Sequence, residues 1–208
     1  MKIVYFDTET TALKPGQIGQ LSLIIEEDTK VRALNYFFEV EYVKPDVTAA
    51  LGRDVEFYKI RANGIKFKDK ANEIQEIFNG AVFVAHNISF DENFLSSELW
   101  KCGLTATPSS KVDTMALYKP IIKATNMYGR LKNPKLIEVV QGLNLDEEKI
   151  KKYSVQLFKD EDGIDYHDSR YDTTVVYVIS QIAREFQAGI SMGPWYKTFI
   201  NQGEQLNG

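Results

Sequence analysis

Cysteine is nearly absent from this chain: Cys102 is the one thiol in 208 residues. A single cysteine excludes an intrachain disulfide and a metal site made of thiolates, and it makes a reducing, intracellular setting the default. Long apolar runs are lacking as well. No stretch approaches the ~20 apolar residues of a membrane span, and the chain opens straight into an apolar strand without a signal-peptide pattern. The expectation is a cytoplasmic protein with no membrane partner. Internal repeats and low-complexity segments are missing, which leaves an ordinary folded domain. Positive charge is scarce too, since 25 Lys and Arg stand against 29 Asp and Glu for a net charge of −4. Bulk charge alone would not hold a polyanion. Histidine is rarer still, with His86 and His167 the two in the chain.

What is present is a core and three unusual placements of acid. Hydrophobic residues make up 44% and aromatics 12%, enough for one core of ordinary size. The most informative segment is Ile3-Val4-Tyr5-Phe6-Asp7-Thr8-Glu9. Residues 3–6 read as a buried strand, and side chains two apart on a strand share a face. Asp7 and Glu9 then project together while Thr8 points away. Adjacent carboxylates at the end of a core strand repel each other and are costly to desolvate. A hard divalent cation such as Mg²⁺ or Mn²⁺ removes that conflict. An isolated Asp-x-Glu is more often a solvated pair, so the weight falls on the rest of the chain.

The second acid follows a strand over 81–85, in His86-Asn87-Ile88-Ser89-Phe90-Asp91-Glu92. Ser89 and Glu92 read as a capping box that starts a helix over 89–102 and puts Asp91 in its first turn. The helix dipole alone would explain an acid there. The third lies in His167-Asp168-Ser169-Arg170-Tyr171-Asp172. Val175, Val176, Ile179, Ala183 and Phe186 recur at helical spacing after it, so a helix starts near Ser169 or Arg170 with Ser169 as its N-cap. His167 belongs to the preceding loop, on a different face from Asp172, and is free to reach over a metal site from outside the ligands.

Together, Asp7-Thr8-Glu9-Thr10-Thr11-Ala12-Leu13, His86-Asn87-Ile88-Ser89-Phe90-Asp91 and His167-(four residues)-Asp172 resemble the three signatures of the DEDDh 3′-5′ exonucleases. That family includes the proofreading subunit of the bacterial replicative DNA polymerase, ribonuclease T and oligoribonuclease. Val112-Asp113-Thr114 and Asn133-Pro134-Lys135-Leu136 resemble recurrent family segments between the second and third signatures. The resemblance implies an α/β, ribonuclease H-like fold with a mixed central sheet flanked by helices. It implies hydrolysis of single-stranded or frayed 3′ ends, DNA favoured, to nucleoside 5′-monophosphates. It also implies Asp7, Glu9, Asp91 and Asp172 as ligands of two divalent cations, Mg²⁺ with Mn²⁺ able to substitute, and His167 as general base. Thr8, Thr10, Leu13, His86, Asn87 and Phe90 would bind the substrate, with Thr10 and Leu13 at the terminal nucleotide. For Asn87 and Phe90, ordering the turn before the helix is the competing reading. The implied partners are a DNA or RNA 3′ end and a DNA polymerase or other replication or repair protein.

Two alternatives stand beside this reading. One is an inactive nucleic-acid-binding or polymerase-tethered module of the same fold, which the complete set of acids and His167 argues against. The other is a preference for short RNA, which no motif separates from DNA. The chain departs from the family pattern at Ala12, commonly Gly, at Gln20, often Glu, and at Asn63-Gly64-Ile65, which resembles a frequent His-Gly-Ile. Its cations are unevenly placed. From Lys111 to Lys135 six Lys or Arg stand against one acid, Asp113, beside Tyr118, Tyr128 and a loop-like Asn126–Gly129, a composition suited to tracking a phosphate backbone. The run from Lys59 to Lys70 reads as a solvated face.

The remaining pattern predicts strand 2–7, an antiparallel hairpin of 18–26 and 31–40, and helices over 69–79, 112–122 and 134–141. The exonuclease-like domain would cover 1–187. Residues 188–208 would form an extension of unknown role.

Overall fold

The computed structural model describes residues 1–13, 16–165 and 167–201. At its centre is a five-stranded sheet of order β3-β2-β1-β4-β5, formed by β1 Lys2–Thr10, β2 Ile18–Glu27, β3 Lys30–Phe37, β4 Val82–Ala85 and β5 Ser110–Asp113. β1, β2 and β3 are antiparallel neighbours, and β4 runs parallel to both β1 and β5. The expected mixed sheet and ribonuclease H-like arrangement are present. The helices are α1 Pro45–Leu51, α2 Val55–Ala62, α3 Phe67–Phe78, α4 Ile88–Lys101, α5 Thr114–Ile122, α6 Leu136–Gly142, α7 Glu147–Phe158, α8 Ser169–Gln187 and α9 Pro194–Phe199. Among the described residues no helix is long and apolar enough to cross a membrane.

The alternation along β1 gives the sheet two cores. Ile3 and Tyr5 pack with Tyr171, Val175 and Ile179 of α8. Val4 and Phe6 pack on the other face with Ile74 and Phe78 of α3 and Phe94 and Leu95 of α4. Because side chains on a strand alternate, Asp7 and Glu9 emerge on the α8 side and Thr8 on the α4 side. That division positions the site.

Several local expectations change in the fold. β1 does not end at Asp7. It runs on to Thr10, with Asp7 opposite Ser22 and Glu9 opposite Gln20, because β2 continues to supply partners. The helix expected over 112–122 begins only at Thr114, since Ser110–Asp113 is recruited as β5 and the Asp113 carboxylate caps the Met115 amide. Ser89 and Glu92 form no capping box. α4 starts one residue earlier behind Asn87, in the left-handed region at φ 63°, and Glu92 pairs instead with Lys111. Ser169 is not the cap of α8: the Asp168 carboxylate accepts the Arg170 amide at 3.0 Å, and the Ser169 hydroxyl lies 2.6 Å from that of Ser22. α1, α2 and α7 have no counterpart in the expected pattern, since α2 buries only Tyr58 and Ala62 and α7 only Ile150 and Ser154.

Part of the segment after Gln187 packs on the domain. Trp195 stands edge-on to Tyr177 at 5.3 Å, and Phe199 is buried in the α8-side core. Residues 202–208 of the expected extension lie outside the described residues.

Candidate active site

The second half of β1 carries Asp7 and Glu9 to the foot of α8, whose first turn presents Asp172. Carboxylate oxygens of these three residues all lie within 4.8 Å of one another. Asp91 arrives from the opposite face. α4 packs on the Thr8 side of β1, and Asp91 Oδ1 accepts both the amide of Thr8, at 2.9 Å, and its hydroxyl, at 2.7 Å. Thr8 therefore anchors Asp91, whose charge is still felt at Asp7.

The protein offsets this cluster only in part, through Arg53 beside Glu9. Loss of water and the charges of Asp91, Asp172 and Glu9 push Asp7 well above the ordinary carboxylate range. Burial raises Glu9 as well, against the opposing pull of Arg53. It lifts Asp91 to about 7, against the bonds from Thr8, and with the charge of Asp168 it lifts Asp172 to about 8. Asp172 Oδ1 is buried without a hydrogen-bond partner among the described residues. An orphaned carboxylate oxygen beside further carboxylates is a donor set that a hard divalent cation satisfies. The residues present fit such an ion.

His167 precedes α8 in the left-handed region, at φ 65°, a conformation uncommon for a residue with a side chain. Burial lowers its pKa, with help from the charges of Arg53 and Lys135, which favours the neutral ring that can accept a proton. It lines a cleft of about 450 Å³ together with Thr8, Glu9, Thr10, Leu13 and Phe90. Asp46, Val47, Ala50 and Leu51 of α1 line the same cleft. Ala12 also lines it, outside the positive-φ region, so the departure from Gly carries no backbone strain.

His86 and Asn87 lie outside that lining. The His86 ring bridges two elements, with Nε2 2.9 Å from the Pro134 carbonyl and Nδ1 3.0 Å from the Thr114 hydroxyl. Burial lowers its pKa; Nε2 donates to the Pro134 carbonyl, and the Thr114 hydroxyl beside Nδ1 also lies 3.3 Å from the Ala85 carbonyl. The Asn87 amide donates to Asp113 Oδ1 at 2.9 Å.

Three residues near the acids, Arg53, Gln20 and Asp168, have no site role in the sequence pattern. Arg53, between α1 and α2, is buried and reaches Glu9 at 3.9 Å and Asp168 at 3.4 Å. Gln20 accepts from Arg53 at 3.0 Å and donates to Asp168 at 3.2 Å. Asp168 is gripped further by Arg170, through Nε at 2.7 Å and Nη2 at 2.9 Å. The Gln20 departure was the one signal: an amide can donate to Asp168, as it does here, whereas an ionised carboxylate at that position could not. Asn63 closes α2 in the left-handed region.

The RNase_T family, described as an exonuclease, matches residues 4–178. The chain belongs to this exonuclease family. The PolC-type DNA polymerase III of Ureaplasma parvum serovar 3 is 31% identical over 124 residues, which are 57% of this chain and 8% of that protein. The 3′-5′ exonuclease DinG of Bacillus subtilis is 27% identical over 149 residues, 69% of this chain and 15% of that one. The chain thus spans a small part of the length of these family relatives. E. coli exonuclease I, solved in complex with a dA16 oligonucleotide, superposes with a TM-score of 0.67 at 12% identity, covering 91% of this chain and 42% of that one. At that identity the likeness is one of fold.

Proposed function

We propose that this chain is a metal-dependent 3′-5′ exonuclease that releases nucleoside 5′-monophosphates from single-stranded or frayed 3′ ends, with DNA favoured. The observation that carries the reading is the convergence of Asp7, Glu9 and Asp172 within 4.8 Å beside a cleft lined by Thr10, Leu13, Phe90 and His167. Asp7, Glu9, Asp91 and Asp172 hold two divalent cations, Mg²⁺ or in its place Mn²⁺, since carboxylate oxygens suit both. When bound, the cations supply Lewis-acid stabilisation of charge on the phosphoryl group and on the leaving oxygen.

The terminal nucleotide occupies the cleft, with its sugar near Thr10 and its base against Leu13 and Phe90. His167 takes a proton from the attacking water. The water oxygen bonds to phosphorus, the bond from phosphorus to the 3′ oxygen breaks, that oxygen takes a proton from solvent, and the shortened strand leaves with a 3′-hydroxyl while His167 returns its proton to solvent. Thr8 serves by holding Asp91, and His86 and Asn87 order the loops bordering the scissile nucleotide. A DNA polymerase partner accords with the PolC-type DNA polymerase III among the relatives.

End-labelled single-stranded DNA and matched RNA, incubated with Mg²⁺ or EDTA, test the reading. Mononucleotides are expected from the 3′ end of DNA, with release lost on chelation and strongly suppressed by a 3′-phosphate. Undiminished digestion in EDTA, or internal cutting of a circular single strand, would sink it. Faster digestion of short RNA would keep the chemistry and change the substrate. Binding without hydrolysis would favour the inactive module.

A further inference from the structure

The longest acid-free stretch of the chain adjoins the site. Thr114–Ile137 holds Lys119, Lys123, Arg130, Lys132 and Lys135 and no Asp or Glu, in a chain of net charge −4. Lys132 is committed to Glu138 at 2.6 Å. Lys119, Lys123, Arg130 and Lys135 are exposed and have no ion pair among the described residues.

After α5 this stretch folds into a small hairpin. Thr125 and Leu131 form an antiparallel bridge, the Lys132 amide donates to the Ala124 carbonyl at 2.8 Å, and the Asn126 amide donates to that of Arg130 at 2.8 Å. The Asn126 side chain accepts the amides of Tyr128, at 2.9 Å, and Arg130, at 3.1 Å. Gly129 takes the φ of 70° that the turn requires. The hairpin is thus shaped by its own hydrogen bonds, yet its tip carries Met127, Tyr128 and Leu131 at 89%, 77% and 68% exposure. An ordered turn that holds an aromatic ring and two aliphatic chains in water, interleaved with a guanidinium, has not been built for packing.

Its base is tied to the active site. Pro134 accepts the hydrogen bond from His86, which follows β4, the parallel neighbour of the strand bearing Asp7 and Glu9. Lys135 is near enough to His167 for its charge to depress the imidazole pKa. Six residues separate Lys135 from Tyr128, so the tip, seven steps along the chain, lies at most ~24 Å from Lys135, within reach of a strand whose 3′ end fills the cleft.

We infer that this hairpin is the platform for the portion of the strand lying 5′ of the terminal nucleotide. Bases rest on Tyr128, Met127 and Leu131, and phosphates pair with Lys123 and Arg130. The inference builds on the exonuclease reading for the position of the 3′ end. Single-stranded nucleic acid is the occupant that answers both features, because every base offers a face to an aromatic ring and every linkage carries a negative charge. The pre-formed turn keeps the ordering cost of binding low.

Fluorescence anisotropy with an oligothymidylate of about twelve nucleotides in EDTA measures binding apart from hydrolysis. The Tyr128→Ala, Arg130→Ala double variant should bind it ~5- to 150-fold more weakly. The slope of log K against log salt should flatten by about 0.7 for the lost guanidinium. Its thermal midpoint should match the parent, since both side chains are exposed, and Tyr128→Phe should keep the affinity because the ring remains. With Mg²⁺, the ratio of kcat/KM for the long strand over a dinucleotide should fall. Unchanged affinity and salt slope, or equal losses on long strand and dinucleotide, would overturn the platform. A parent protein that binds the long strand through the hairpin but releases no mononucleotide would remove the exonuclease reading and leave the platform standing. A parent that digests the strand no better than the double variant would remove the platform alone.

Discussion

Two polar clusters lie on the same face of β1, two residues apart in the chain, and α8 covers both. At Tyr5 the phenol donates to Glu26 at 2.7 Å and accepts from Arg184 at 2.7 Å. Arg184 and Gln181 donate to Glu26 as well, at 2.9 Å and 3.1 Å. Burial opposes the Glu26 charge, yet these bonds hold its pKa below the usual range. At Asp7 burial and neighbouring acids act in the same direction, and every carboxylate of the cluster is raised. Strand, helix and face are shared, so the difference lies in the partners. A closed set of donors and acceptors rigidifies a fold, whereas an open anionic set costs stability until a ligand completes it.

The sharpest way to break this comparison is to cut each cluster once. Asp7→Ala should abolish turnover while the metal-free thermal midpoint holds or rises, because one of several crowded charges is gone. Tyr5→Phe should keep turnover and lose about 1 kcal/mol of stability. Unfolding of Asp7→Ala, measured by circular dichroism, would make the acid cluster structural and erase the contrast.

A smaller effect is expected outside the acids. His167→Ala should lower kcat by ~10²–10⁴-fold, the usual worth of a positioned base, with the Mg²⁺ concentration for half-maximal rate nearly unchanged. Full rescue by added Mg²⁺ would move His167 into ligand positioning.

A further effect is on stability and depends on pH. The folded-state pKa values of Asp91 and Asp172, about 7 and about 8, lie above the ordinary value of 3.8. The folded protein therefore retains protons that the unfolded chain has released. This contribution is complete below a pH of about 4 and is lost as pH rises through 7 to 8. Metal-free protein should lose a few kcal/mol across that window, Mg²⁺ should restore them, and Asp172→Asn should flatten the slope. The Glu26 cluster has the opposite sign, since its lowered carboxylate contributes stability that fades as pH falls. A metal-free midpoint indifferent to pH in the parent, and unaltered in Asp172→Asn, would contradict the open-cluster account.

Much of the candidate site was legible in short windows of sequence. The alternation of Ile3, Val4, Tyr5 and Phe6 announced a strand that projects Asp7 and Glu9 together, and the apolar spacing after Asp172 announced α8. The network around Arg53 was not legible. Arg53 sits between short helices with few buried residues, and nothing in the neighbouring residues says that its guanidinium turns inward to Gln20 and Asp168. The start of α4 was misread because a left-handed Asn87 competes with a Ser–Glu box, and the contact that decides it, Glu92 with Lys111, is remote in sequence.

By itself, then, the sequence determined which residues are candidates for the chemistry and which kind of local element carries them, because periodicity and capping act within a few residues. Only the tertiary structure decided how those elements meet. The two cores place α4 and α8 on opposite faces of β1, so Asp91 is held by Thr8 while Asp172 joins Asp7 and Glu9. Which face a helix covers depends on burial summed over the whole sheet, and no local window of residues contains that sum.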